Sequence, residues 1–371
     1  MTVRSALLAS CTMILVTLSA WYRPTVTSST GAMTPPVVTA GWDTILMAYP
    51  RSEPTATLLA DGRVLVTGRD FSNPNPLDSI ATTEIYDPST KTFSRGPQFF
   101  SRRMSFPAAP IPEGVLIGVG MGVSVIDLAR NAVRSVASMT DGRNDYTITP
   151  LHDSTFLLVG GGHRGTYTTA EIYDPRTGRL VRTGDALVTR FGCPATLLQD
   201  GSFLLMGGTS SADATYNKSI ADAEIYDPAA HSFRRTGSMT RPRSGHTSTL
   251  LSDGRVLVTG GYDDRRITAT AELYDPGSGV FRAVAPMRVP RILHAAVLLS
   301  DGRVLIMGGA RGNVILRSAE VFDPALERFL ETEPMVAPRE RHSATLLRTG
   351  EVLVVGGNGS AKTAEVFDLG R

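Results

Sequence analysis

The chain has 371 residues with 37 basic side chains against 35 acidic ones, so no net field singles out nucleic acid or an anionic membrane as its partner. Its 36 glycines and 23 prolines exclude a helical bundle and fit many short strands joined by turns, while 42% hydrophobic residues suffice for a large core. All basic residues except Lys91, Lys218 and Lys362 are arginine, a side chain suited to bidentate recognition of carboxylates and phosphates.

At the N-terminus a short basic start ending at Arg4 leads into the apolar run Ala6 to Leu18 and then Ser19-Ala20. That pattern predicts a signal peptide over residues 1–20, and therefore export to a secreted, periplasmic or cell-surface location. Residues 21–40, rich in Thr, Ser and Pro, read as a flexible tether. Only Cys11 and Cys193 are present, so no disulfide framework is expected. No later apolar stretch approaches the length of a membrane span.

From residue 41 onward the chain repeats. The clearest unit starts at Arg243 and reads Arg-Ser-Gly-His246, then Leu250-Leu251, Asp253-Gly254, Gly260-Gly261, Ala271-Glu272-Leu-Tyr274-Asp275-Pro276, Phe281 and Met287. Its glutamate recurs at Glu84, Glu171, Glu224, Glu272, Glu320 and Glu365, and the last five are spaced by 53, 48, 48 and 45 residues. A gap of 87 residues between Glu84 and Glu171 holds a degenerate copy with Ser124 in place of the glutamate. Each of the seven units codes four strands, a to d: Asp-Gly predicts a primed two-residue hairpin between a and b, and Asp-Pro turns c into d.

Seven four-stranded units of about 47 residues predict an all-β fold, a seven-bladed β-propeller over residues 41–371. The seventh unit stops after its strand c, at Phe367-Asp368. The segment from Trp42 to Ala48 should supply the missing strand d, because Met47 stands the same distance before Arg51 as Met287 does before Arg291.

The double glycine, Tyr-Asp-Pro and Arg-x-x-His repeated together resemble the kelch-repeat family in its bacterial exported form. That resemblance implies a propeller, and it leaves function open, since such propellers host adaptors, glycan binders and a few enzymes. The segment Phe191-Gly-Cys193-Pro194 is also similar to the cysteine segment of galactose oxidase, a copper radical enzyme of the same fold, which draws a copper ligand from a position like His294. The tyrosines of that family fall near Gly245 and at Leu293 here, so the resemblance does not extend to its radical site, and no cofactor is expected.

Strand order puts the d to a and b to c loops on one face, here called the top, where recognition belongs. An arginine closes each d to a loop: Arg51, Arg103, Arg143, Arg190, Arg243, Arg291 and Arg339. These are expected to form buried pairs with the strand c glutamates, with Arg103 as the exception because Ser124 replaces its partner. Three residues after that arginine, Tyr146, Cys193, His246, His294 and His342 head their blades, and the three histidines raise the question of a metal site, for which no fourth ligand is evident. Arginines off the repeat, notably Arg164, Arg265, Arg266, Arg311 and Arg341, together with Tyr262, are candidates for contacting a ligand. The sequence thus reads as a monomeric, non-catalytic module that binds a protein or glycan, preferably acidic, through its top face, with no metal and no nucleic acid. The alternative is a carbohydrate-active enzyme of the same fold, similar to a sugar-acid mutarotase, with an arginine on a carboxylate and a histidine as acid or base, and after it a copper oxidase similar to galactose oxidase.

Overall fold

The computed structural model describes residues 41–69, 80–100, 107–119, 122–143, 146–162, 167–210 and 218–369. The expectations for residues 1–20 and 21–40, for Arg103 and for Arg164 lie outside the described residues.

Seven antiparallel sheets follow one another along the chain, each of four strands except in blade 1, where Phe99–Phe100 adds a short fifth. Blade 5 sets the pattern, with strand a at Thr247–Leu250, b at Val256–Thr259, c at Ala271–Asp275 and d at Val280–Val284. The other inner strands are Thr55–Leu58, Ala108–Ile111, Thr147–Pro150, Ala195–Leu197, Ala295–Leu298 and Ser343–Leu346. Each touches the inner strand of the next blade, and Ser343–Leu346 touches Thr55–Leu58, so the ring closes.

Closure uses the N-terminal strand as the sequence predicts. Gly41–Leu46 pairs antiparallel with Thr363–Asp368, placing Trp42 opposite Phe367. The rings of these two residues lie 4.7 Å apart, as Tyr274 and Phe281 do at 4.6 Å in blade 5, so Trp42 fills the outer aromatic position of blade 7. Apolar side chains of strands b and c pack between neighbouring blades, as where Val304, Ile306 and Phe322 of blade 6 meet Leu257 and Leu273 of blade 5.

The a to b turn corrects one expectation. Gly254 donates to the Leu251 carbonyl at 3.0 Å, and in the segment Leu251 to Arg255 only the glycine has positive φ, at 89°. This is a β-turn followed by a glycine bulge in place of a primed two-residue loop, and Asp253 stabilises it by accepting the Arg255 amide at 3.0 Å. The c to d turn is closed by Gly279 donating to the Asp275 carbonyl, while the Asp275 carboxylate accepts the Gly277 amide. Both sets of turns lie on the face opposite the d to a and b to c loops.

Candidate functional site

The top face is built on the recurring arginine. Arg243 is fully buried; it donates to Glu272 at 2.8 Å and to the carbonyls of Gly260 and Thr270 at 2.7 and 3.0 Å. The second Glu272 oxygen accepts the Thr240 amide at 2.7 Å, so one ion pair fastens the loop crossing from blade 4 onto strands b and c of blade 5. Equivalent pairs join Arg51 to Glu84, Arg143 to Glu171, Arg190 to Glu224, Arg291 to Glu320 and Arg339 to Glu365. The six arginines therefore serve the scaffold as expected, and burial pulls the guanidinium pKa of Arg243, Arg291 and Arg339 downward against the opposing pull of the glutamates.

The histidines occupy the seams between blades. A Cβ on Gly207, Gly260 or Gly308 would come within 2.6, 2.8 and 2.6 Å of the imidazole of His246, His294 and His342 of the following blade. The second glycine meets the head residue of its own blade: Gly261 approaches the His246 Cβ at 2.9 Å, Gly309 the His294 Cβ at 2.8 Å, and Gly208 the Cys193 Cβ at 2.8 Å. In blades 5 and 6 the double glycine is thus a slot between two imidazoles, where a side chain would clash. His294 Nε2 lies 3.0 Å from the hydroxyls of Thr247 and Thr259 in the preceding blade, whereas His246 and His342 make no side-chain hydrogen bond. Burial, then the charges of nearby arginines, brings His246 and His342 down to about 3 and holds His294 well below its ordinary value, so all three are neutral.

Tyr146 and Cys193 are also buried, at 1% and 3% exposure, and Tyr146 fills the space beside Gly118 of the preceding blade. These five head-of-blade candidates therefore lie inside the structure and do not line the accessible top face. The burial of Arg341 corrects the expectation that it is free: its side chain is 9% exposed and pairs with Glu53 at 2.6 Å across the junction of blades 7 and 1.

The remaining candidates do converge. A cavity of about 620 Å³ between the top loops of blades 5 and 6 is lined by Tyr262, Arg265, Arg266, Thr268, Pro290 and Arg311, among others. Two rigid hairpins hold it. In the first, Tyr262 exchanges backbone hydrogen bonds with Ser244, and the Asp263 carboxylate accepts the amides of Arg265 and Arg266 at 3.1 and 2.9 Å. Asp263 is paired with Arg241 at 3.6 Å, and Asp264 accepts the Ser219 amide at 3.0 Å, so neither acid forms an ion pair with the adjacent arginines. In the second, Ala310–Arg311 pairs with Val314–Ile315 around Gly312, whose φ is +64°, and Ala310 is bonded to Ile292. Arg265, Arg266 and Arg311 are exposed and have no carboxylate partner among the described residues.

Comparison with known proteins agrees with the fold. Residues 242–288 match the Kelch motif family. The chain is a seven-bladed β-propeller that carries a Kelch motif in its fifth blade. Among solved structures, a fungal alcohol oxidase of the AA5 family in complex with copper superposes with a TM-score of 0.73 at 17% identity, covering 90% of this chain and 76% of that one. At that identity the likeness speaks for the fold alone. The spermatocyte protein spe-26 of Caenorhabditis elegans is 27% identical over 121 residues, 30% of this chain, and the match covers only a fifth of that relative's length.

The copper chemistry of the fungal oxidase finds no matching donor set here. A side chain on Gly245 would run into Ile292 at 2.5 Å, so no phenol fits at that position, and residue 293 is a leucine. His294 is committed to the Thr247 and Thr259 hydroxyls, and no group of three His, Cys, Asp or Glu among the described residues is placed to hold a metal.

Proposed function

We propose that this kelch propeller is an exported, non-catalytic recognition module that binds an acidic protein or glycan through its top-face loops. The observation that carries the reading is the cavity between blades 5 and 6, in which Arg265, Arg266 and Arg311 stand without carboxylate partners among the described residues, on loops fixed by other contacts. Rigid loops lose little conformational freedom on binding, which favours recognition. Guanidinium groups stay protonated near neutral pH and supply hydrogen-bond donors, a set suited to holding an anion and not to shuttling a proton. A mutarotase-like enzyme needs a titrating histidine beside its arginine, whereas the three repeat histidines are buried and neutral in the seams.

The test is a binding assay with immobilised acidic and neutral polymers. Retention on the acidic polymer should fall as salt rises and disappear in Arg265→Ser/Arg266→Ser/Arg311→Ser. Equal retention on neutral polymer, indifferent to salt and to the substitutions, contradicts the reading.

A further inference from the structure

The lining of the cavity that carries the proposed function bears on which acidic partner it would take. We infer that its occupant is an acidic saccharide, a pyranose bearing a carboxylate, gripped by the three arginines and packed against Tyr262. This inference rests on the reading above and narrows it.

Three features separate a sugar from an acidic peptide. The first is size: the cleft between the two hairpins, open to solvent and of about 620 Å³, has room for a small ligand. The backbone edges that a peptide strand would use are already taken. Tyr262 is bonded to Ser244, Ala310 to Ile292, and Arg311 to Val314.

The second is the mixed lining. Tyr262 is half-buried, and with Ile267 and Pro290 it adds apolar surface to the guanidinium donors. A pyranuronate presents the matching pattern, apolar ring faces with a carboxylate and hydroxyls at its rim. An acidic peptide side chain offers the carboxylate without the ring. Tyrosine combines an apolar body with a polar tip, so it can meet both parts of such a ligand.

The third is the placement of the charges. Asp263 and Asp264 organise the loop that carries Arg265 and Arg266, yet their carboxylates face Arg241 and the Ser219 amide. The loop therefore exposes its cations with their nearest acids turned to other partners. Like charges held together in one cavity repel until an anion joins them. An anion should consequently stabilise the whole fold by binding the native state.

Isothermal titration of the full chain with four probes tests this: a galacturonate trisaccharide, its methyl ester, a hexaglutamate peptide and inorganic sulfate. The acidic trisaccharide should bind at least tenfold more tightly than its ester or the peptide. Arg266→Gln and Arg311→Gln should each weaken it tenfold or more while leaving the ligand-free melting temperature unchanged or higher, because a repelling charge is gone. Tyr262→Ala should weaken the trisaccharide by a similar factor and leave sulfate binding unchanged.

If hexaglutamate binds as tightly as the trisaccharide and Tyr262→Ala affects neither, the saccharide assignment is overturned while the acidic-partner reading stands. If no probe binds in an arginine-dependent way, both fall. Equal binding of the trisaccharide and its ester also overturns the assignment, since the carboxylate would then play no part.

Discussion

The imidazole of His294 crosses a blade boundary, its Nε2 lying 3.0 Å from the Thr247 hydroxyl of the preceding blade. With His246 and His342 in equivalent seams, three neutral histidines hold blades 4 to 7 together. Their folded-state pKa values are depressed, so the unfolded chain takes up protons first as pH falls. Stability is fully present above the unfolded value near 6.5 and is lost progressively toward about 3. Each histidine contributes a slope of about 1.4 kcal/mol per pH unit in that window. Melting temperature should therefore fall steeply between neutral pH and mild acid, and His246→Met should reduce the slope by about a third. A flat profile over that range contradicts the seam assignment.

Glycine substitutions separate two roles. At Gly308 an added Cβ would meet the Arg339 carbonyl at 2.5 Å and the His342 ring at 2.6 Å, at a φ of +62°. At Gly312, with φ +64°, nothing lies within 4 Å. Gly312→Ala should cost only the left-handed backbone penalty, about 1 to 2 kcal/mol, while Gly308→Ala should cost about 3 kcal/mol or more. Chemical denaturation of the two variants checks the order.

Closure by the N-terminal strand predicts a large loss on truncation. Removing residues 41–46 strips the ladder from Thr363–Asp368 and uncovers Phe367, and should lower stability by several kcal/mol. Trp42 is half-buried, so Trp42→Ala alone should cost roughly 2 kcal/mol, below the loss at a fully buried aromatic. An unchanged melting temperature in the truncated protein contradicts the pairing.

The buried ion pairs predict an asymmetry. Glu272→Gln leaves Arg243 without its counter-ion, at about 3 to 5 kcal/mol. Arg243→Met strands Glu272 and also removes the donors to the Gly260 and Thr270 carbonyls, so it should be the more destabilising of the two. Urea denaturation of both variants measures the difference.

Repetition made the propeller legible in the sequence, because the same glutamate, arginine and aromatic positions return in nearly every unit. The pairing of Arg243 with Glu272 followed from recurrence, since residues that return in each blade serve the blade. Contacts between blades were not legible in the same way. The double glycine shows its purpose only when the histidine of the next blade is seen against it. Arg341 read as free because its partner Glu53 is 288 residues away, across the closure of the ring. Arg265, Arg266 and Arg311 stood out as arginines off the repeat, but their meeting in one cavity depends on the relative placement of two blades. The Asp-Gly turn was misassigned for a local reason: the same dipeptide serves a primed turn or a glycine bulge, and loop length decides between them.

Recognition of an acidic partner by the top-face cavity between blades 5 and 6 is tested most directly by the melting temperature of the full chain with and without a soluble acidic polymer, in the native protein and in Arg265→Ser/Arg266→Ser/Arg311→Ser. The native protein should melt higher with the polymer at low ionic strength and lose that gain as salt rises, while the triple variant should fold normally and gain nothing. An equal gain in both proteins, or none in either, contradicts the account.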